Sequence, residues 1–208
     1  RPTASSASAA VITAVGEPNV RNDSLPSNSG QLVVIAGCMF AGKTARLIDR
    51  LEAARATGKR VLAVKHHLDS RYHSALLCTH DGRTFAAVSV ADAGELLRVV
   101  SCAEVAGVDE AQFFGRSLAP VCQQLVAAGR TVIVAGIDHD TWGQPFPPLP
   151  ELKSLANEVE QRHPPCGVCG QPATFHQRIA PVVNADLIGG PGEYEPRCTA
   201  HFAPLPPP

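Results

Sequence analysis

The chain has 208 residues, enough for one ordinary domain and a small appendage. Lys plus Arg number 18 against 19 Asp plus Glu, so the formal net charge is −1, which argues against a broad electrostatic grip on nucleic acid or an anionic membrane. The longest apolar stretches, such as 132–137, fall far short of the ~20 residues that a membrane-spanning helix needs.

Residues 1–30 are rich in Ala, Ser, Pro and Asn with no period of 2 or 3.6, and they read as a disordered leader. Residues 9–15 lack a basic flank and a full apolar core, so they do not read as a signal peptide. Order begins at 31–36, a short apolar run bounded by glycine that predicts a strand buried on both faces. The stretch 37–44 follows, and then Leu47, Ile48, Leu51 and Ala54 share one face of a helix that stops at Gly58. Residues 60–65 predict a second strand. The polar stretch 66–83 is long for a connection, which marks it as functional or mobile.

A short helix is expected over 91–100 with Asp92 as its cap, then a third strand over 104–108 ending in Asp109-Glu110. Helical spacing returns over 117–128, and 131–137 is a β-branched fourth strand. A last helix is expected from 150 to about 159. Strands alternating with helices imply an α/β fold, a parallel sheet flanked by helices. The expected division is a leader over 1–30, an α/β unit over 31–160, a cysteine-bearing unit over 161–203 and a proline-rich tail over 204–208.

Gly37-Cys38-Met39-Phe40-Ala41-Gly42-Lys43-Thr44 fits G-x-x-x-x-G-K-[ST]. The glycines let backbone N–H groups curl round a phosphate, Lys43 reaches the β- and γ-phosphates, and Thr44 offers a hydroxyl to magnesium. This loop predicts an ATP site of the P-loop NTPase type. Asp109 ends a buried strand, where a second magnesium-directed carboxylate belongs, and Glu110 adds another. In an open α/β sheet all four groups fall on the carboxyl edge of the strands.

Of seven cysteines, Cys38, Cys78, Cys102 and Cys122 are scattered, whereas Cys166, Cys169 and Cys198 cluster with His201. Cys-x-x-Cys and Cys-x-x-His are half-sites for a tetrahedral zinc, and four protein ligands mark a structural ion. This usage fits a reduced, cytoplasmic compartment. Between Cys166 and His201 only Arg178 and Arg197 are basic, a poor complement for nucleic acid.

These pieces resemble the thymidine kinase family that joins a P-loop domain to a zinc-held lasso. The resemblance rests on 37–44, Asp69-Ser70-Arg71-Tyr72, Thr79-His80-Asp81, Asp109-Glu110-Ala111-Gln112-Phe113-Phe114, Gly136-Ile137-Asp138, Pro145-Phe146, the Cys half-site, and Leu187-Ile188-Gly189-Gly190 with Tyr194. It implies ATP-dependent phosphorylation of the 5′-hydroxyl of thymidine and deoxyuridine, in nucleotide salvage. It further implies Glu110 as general base, with Lys43, Asp69 and Arg71 at the reacting phosphates. Asp109 and Thr44 would serve magnesium. Met39, Phe113, Phe146, His176, Ile188, Gly189 and Tyr194 would hold the nucleoside, and the chain would form a homotetramer.

Three positions depart from the family pattern. Cys38 stands where Pro is usual, Thr141 precedes Trp142 where an aromatic is expected at 141, and His176 replaces a Thr near the base. The competing readings are a deoxynucleoside kinase of different base preference and a zinc-ribbon P-loop ATPase that binds nucleic acid.

Overall fold

The computed structural model describes residues 29–69, 75–180 and 192–204. Expectations about the leader, Arg71, Ile188, Gly189 and the end of the tail lie outside them.

The sheet is built on β1 (Gln31–Gly37), whose run of apolar side chains alternates between two faces. Leu32, Val34 and Ala36 enter one core with Leu118, Cys122, Leu149 and Leu152, while Val33 and Ile35 meet Leu47, Ile48 and Leu51 on the other side. The unbroken apolar run from Leu32 to Ala36 is what burial on both faces requires. Around it stand α1 (Lys43–Ala56), β2 (Val61–His66), β3 (Leu76–Cys78), β4 (Thr84–Val90), α2 (Ala93–Val99), β5 (Val105–Val108), α3 (Leu118–Ala127), β6 (Thr131–Gly136), α4 (Leu149–Leu155) and β7 (Glu158–Arg162). Strand order among the described residues is β3-β4-β2-β5-β6-β1-β7, parallel throughout except that β3 runs antiparallel to β4. Helix α1 covers one face of the sheet and α2, α3 and α4 the other. Asp92 caps α2 by accepting from the Glu95 N–H at 2.8 Å.

Two stretches differ from the sequence expectation. The last helix stops at Leu155 rather than near 159, because Asn157 turns to clasp β1. Its N–H donates to the Leu32 carbonyl and its side-chain oxygen accepts from the Leu32 N–H, both at 2.8 Å. That pairing starts the edge strand β7, which runs to Arg162, two residues past the expected end of the α/β unit. The stretch 66–83 also holds β3, which forms a hairpin with β4. The Thr79 N–H donates to the Arg83 carbonyl at 2.9 Å and closes the turn between them.

Beyond β7, β8 (Phe175–Arg178) and β9 (Tyr194–Arg197) pair antiparallel as a separate two-stranded ribbon. No described helix is long and apolar enough to cross a membrane.

Candidate active site and metal centre

The loop after β1 is shaped by close approach. A Cβ on Gly37 would stand 2.4 Å from the Arg162 carbonyl oxygen, so no larger residue fits there. Gly42 takes φ 66°, a left-handed turn that starts α1. Phe40 adopts the same φ without being glycine. Strain of this kind is held by the surroundings at about 1–3 kcal/mol. Arg162 supplies part of that support, donating from Nε to the Ala41 carbonyl at 2.9 Å.

Lys43 is buried, and its Nζ donates to the Cys38 carbonyl at 2.7 Å, closing the loop on itself. Burial pushes the ammonium below its usual pKa, and the nearby carboxylates, Glu110 first, act against that shift. Burial also raises the Cys38 thiol to about 11, so it stays protonated and inert.

Asp109 follows β5 and is buried. Thr44 Oγ1 donates to its Oδ2 at 2.9 Å, so hydroxyl and carboxylate converge as the sequence predicts. Burial, then the charge of Glu110, raises the Asp109 pKa to about 7; the Thr44 hydrogen bond pulls the other way. Glu110 takes φ 50°, a second left-handed non-glycine position, and opens a 3-10 segment over Ala111–Ser117. Gln112 Nε2 donates to Glu110 Oε2, while its Oε1 accepts from the Ile137 N–H at 3.2 Å. Gln112 thereby ties Glu110 to the end of β6.

A cleft of about 430 Å³ opens over these groups. Met39 to Thr44, Glu110 and Ile137 line one part of it, and Cys78, Thr79, His80 and Asp81 of the β3–β4 turn line another. Phe40 and His80 bring their rings within 5.7 Å across it.

Next to the loop lies the Cys/His cluster. Ligand atoms of Cys166, Cys169, Cys198 and His201 lie within 4.8 Å of one another. A tetrahedral zinc with Zn–S about 2.3 Å and Zn–N about 2.0 Å requires S–S edges of ~3.8 Å and S–N edges of ~3.5 Å. Cys169 and Cys198 sulfurs stand 3.7 Å apart, and His201 Nδ1 is 3.2 and 3.9 Å from Cys198 and Cys166. The residues fit a structural zinc. Cys38 packs into the same apolar cluster as Cys166, Ala173 and Cys198, so the phosphate loop rests on the Cys/His knuckle.

The thymidine kinase family model matches residues 30–202 of this chain. The chain belongs to the thymidine kinase family. A thymidine kinase of Coprothermobacter proteolyticus is 43% identical over 181 residues, covering 84% of this chain and 91% of that protein. That of Rhodothermus sp. is 40% identical over 175 residues, with 84% and 82% covered. That of Halobacterium salinarum is 39% identical over 182 residues, with 83% and 93% covered.

Within this member of the thymidine kinase family, Lys43, Thr44, Asp109, Glu110 and Met39 converge on or beside the cleft. Asp69 is buried and paired with Lys65 at 3.1 Å. Phe113 is half-buried, its ring 6.0 Å from that of His66, and does not line the cleft. The Phe146 N–H donates to the Asp138 carbonyl at 3.0 Å. His176 and Tyr194 lie on the ribbon, buried, with ring centroids 5.5 Å apart. Burial, then Lys43, lowers the His176 pKa to about 4, so its imidazole is neutral.

Two features escaped sequence reasoning. Gln112 sits in a quoted motif, yet nothing in the motif says that it holds Glu110. Asp138, after β6, is buried with its Oδ2 taking Gln161 Nε2 at 2.7 Å and Lys153 Nζ at 3.2 Å. Burial disfavours its charge, but His139, Gln161 and Lys153 outweigh that and hold it well below the usual carboxylate range.

Proposed function

We propose that this protein transfers the γ-phosphoryl group of ATP to the 5′-hydroxyl of thymidine, giving thymidine 5′-phosphate and ADP. The observation that carries the reading is the convergence of Lys43, Thr44 and Glu110 on one cleft, with Asp109 bonded to Thr44 beside it, in a chain of the thymidine kinase family. Lys43 and the loop N–H groups hold the β- and γ-phosphates. Thr44 and Asp109 would hold magnesium, which when bound neutralises phosphate charge. Glu110, held at an angle by Gln112, accepts the proton of the attacking hydroxyl. Asp69 and Arg71 approach the transferring group, as the family resemblance implies. Phosphoryl transfer asks mainly for positioning and charge stabilisation, which a preformed loop provides.

The nucleoside lies between the cleft and the ribbon, held by Met39, Phe113, Phe146, His176, Tyr194 and the backbone at Ile188 and Gly189. The zinc-held unit past β7 serves as the lasso, and the α/β unit before it as the kinase body. The protein works in the cytoplasm as a homotetramer, without nucleic acid or membrane. A deoxynucleoside kinase of another base preference is the competing reading, because His176 and Thr141 depart from the family pattern. Phosphorylation rates on thymidine, deoxyuridine, deoxycytidine and deoxyguanosine test it. Thymidine and deoxyuridine should be the substrates, and a faster rate on deoxycytidine or deoxyguanosine would reverse the assignment.

A further inference from the structure

In the ribbon, alternate residues of β8 share one face, and His176 and Arg178 are both buried on it. Arg178 stands directly across from Tyr194 in the antiparallel register. Its guanidinium is shared between two lengths of chain. Nε donates to the Ala180 carbonyl at 3.0 Å, on the chain leaving the ribbon. Nη1 donates to the Tyr194 hydroxyl at 2.9 Å, and Nη2 lies 3.7 Å from a Glu193 carboxylate oxygen, on the chain coming back. The Ile179 N–H donates to the Glu193 carbonyl at 2.8 Å and completes the junction.

A buried guanidinium needs several acceptors arranged in its plane, and only Arg offers donors in that fixed fork. Zinc cannot do this work. Its ligands stand at Cys166, Cys169, Cys198 and His201, outside the span from Arg178 to Tyr194. Tyr194 is buried on this face, and a tyrosine hydroxyl without a partner is costly to bury. Arg178 supplies that partner and lies over the ring itself, 5.3 Å from its centroid. Just ahead of β8, Ala173 packs against Cys38, which joins this ribbon to the phosphate loop.

We infer that Arg178 is a positioning residue for the nucleoside. It ties Ala180 to Glu193 and Tyr194, sets the Tyr194 ring, and so acts on nucleoside affinity without touching the phosphates. The inference rests on the thymidine kinase reading above and names a residue through which nucleoside binding is set.

The test compares wild type, Arg178→Met, Arg178→Lys, Tyr194→Phe and the Met/Phe double variant, with thymidine and ATP KM and kcat measured for each. Wild type must first phosphorylate thymidine; if it does not, the functional reading fails, whatever Arg178 does. Arg178→Met should raise thymidine KM at least about tenfold, leave ATP KM within about twofold and change kcat less than about threefold, the pattern of lost ground-state binding. Arg178→Lys keeps the charge but cannot span three acceptors, so it should fall between the two. If Arg178→Met does not fold, the Lys variant decides by the same KM split. The double variant should be little worse than Arg178→Met, because both remove one shared interaction. An unchanged thymidine KM in the Met or Lys variant overturns the inference. So does an equal rise of both KM values in a folded protein, which would make Arg178 a support of the whole fold.

Discussion

Thr44 Oγ1 donates to Asp109 Oδ2 at 2.9 Å, joining the first turn of α1 to the end of β5. The contact places a hydroxyl and a carboxylate side by side at the mouth of the phosphate loop, the pair a divalent cation needs beside its phosphate oxygens. Thr44→Ala and Asp109→Asn should each lower kcat/KM by at least about tenfold. The loss should shrink as magnesium is raised in the Thr44 variant, because one ligand of several is missing. Rates against magnesium concentration check this.

Glu110 is set by Gln112 and by a left-handed backbone that no glycine relieves. Glu110→Gln should cut phosphoryl transfer by about 10²–10⁴-fold and leave ATP affinity nearly unchanged, the usual range for a general base. Gln112→Leu should cost less, about tenfold, because the carboxylate remains but loses the Gln112 hydrogen bond. A Glu110→Gln enzyme that keeps more than about a tenth of the wild-type rate at neutral pH contradicts the assignment.

Asp109 also gives the ligand-free protein a pH dependence of defined sign. Its folded pKa, about 7, exceeds the ordinary carboxyl value, so folding takes up a proton. Its contribution is therefore fully present below about pH 4 and is lost as pH rises through about 7. His176, lowered to about 4, works in the opposite direction between about 4 and 6.5, so wild type alone does not separate the two. Asp109→Asn does. The difference in Tm between the variant and wild type should be near zero at pH 4 and grow to a positive plateau by pH 8. A difference that is flat across that range contradicts it.

The Cys/His cluster should bind one zinc per chain, and elemental analysis of protein purified without chelator measures it. Cys198→Ser should abolish stoichiometric zinc and raise thymidine KM far more than ATP KM. ATP binding should still weaken by a few fold, because Cys38 of the phosphate loop packs on Cys166, Ala173 and Cys198. Equal losses in a still-folded protein would mean that the knuckle holds the loop and the nucleoside alike.

Where the chain announces itself, it does so through patterns with a physical cause. The unbroken apolar run of β1, the glycines at 37 and 42, and the Cys and His spacing each follow from burial, local sterics or ligand geometry, and each is legible in the residues. What is not legible is tertiary. The period of Leu152 and Leu155 runs on toward Val159, yet Asn157 ends the helix because β1 offers it two backbone partners. Leu76–Cys78 is too short to stand out, and it is a strand only because β4 pairs with it. Gln112 and the Asp138, Lys153 and Gln161 node join residues from different elements, so no spacing encodes them.

The central claim is that the group leaving ATP at Lys43 and Thr44 goes to a sugar hydroxyl at Glu110. It is tested most directly by following γ-labelled ATP in a single turnover with thymidine. The account predicts label on the 5′-phosphate of thymidine in wild type and almost none there in Glu110→Gln. Label released as inorganic phosphate at the same rate with or without thymidine would contradict it.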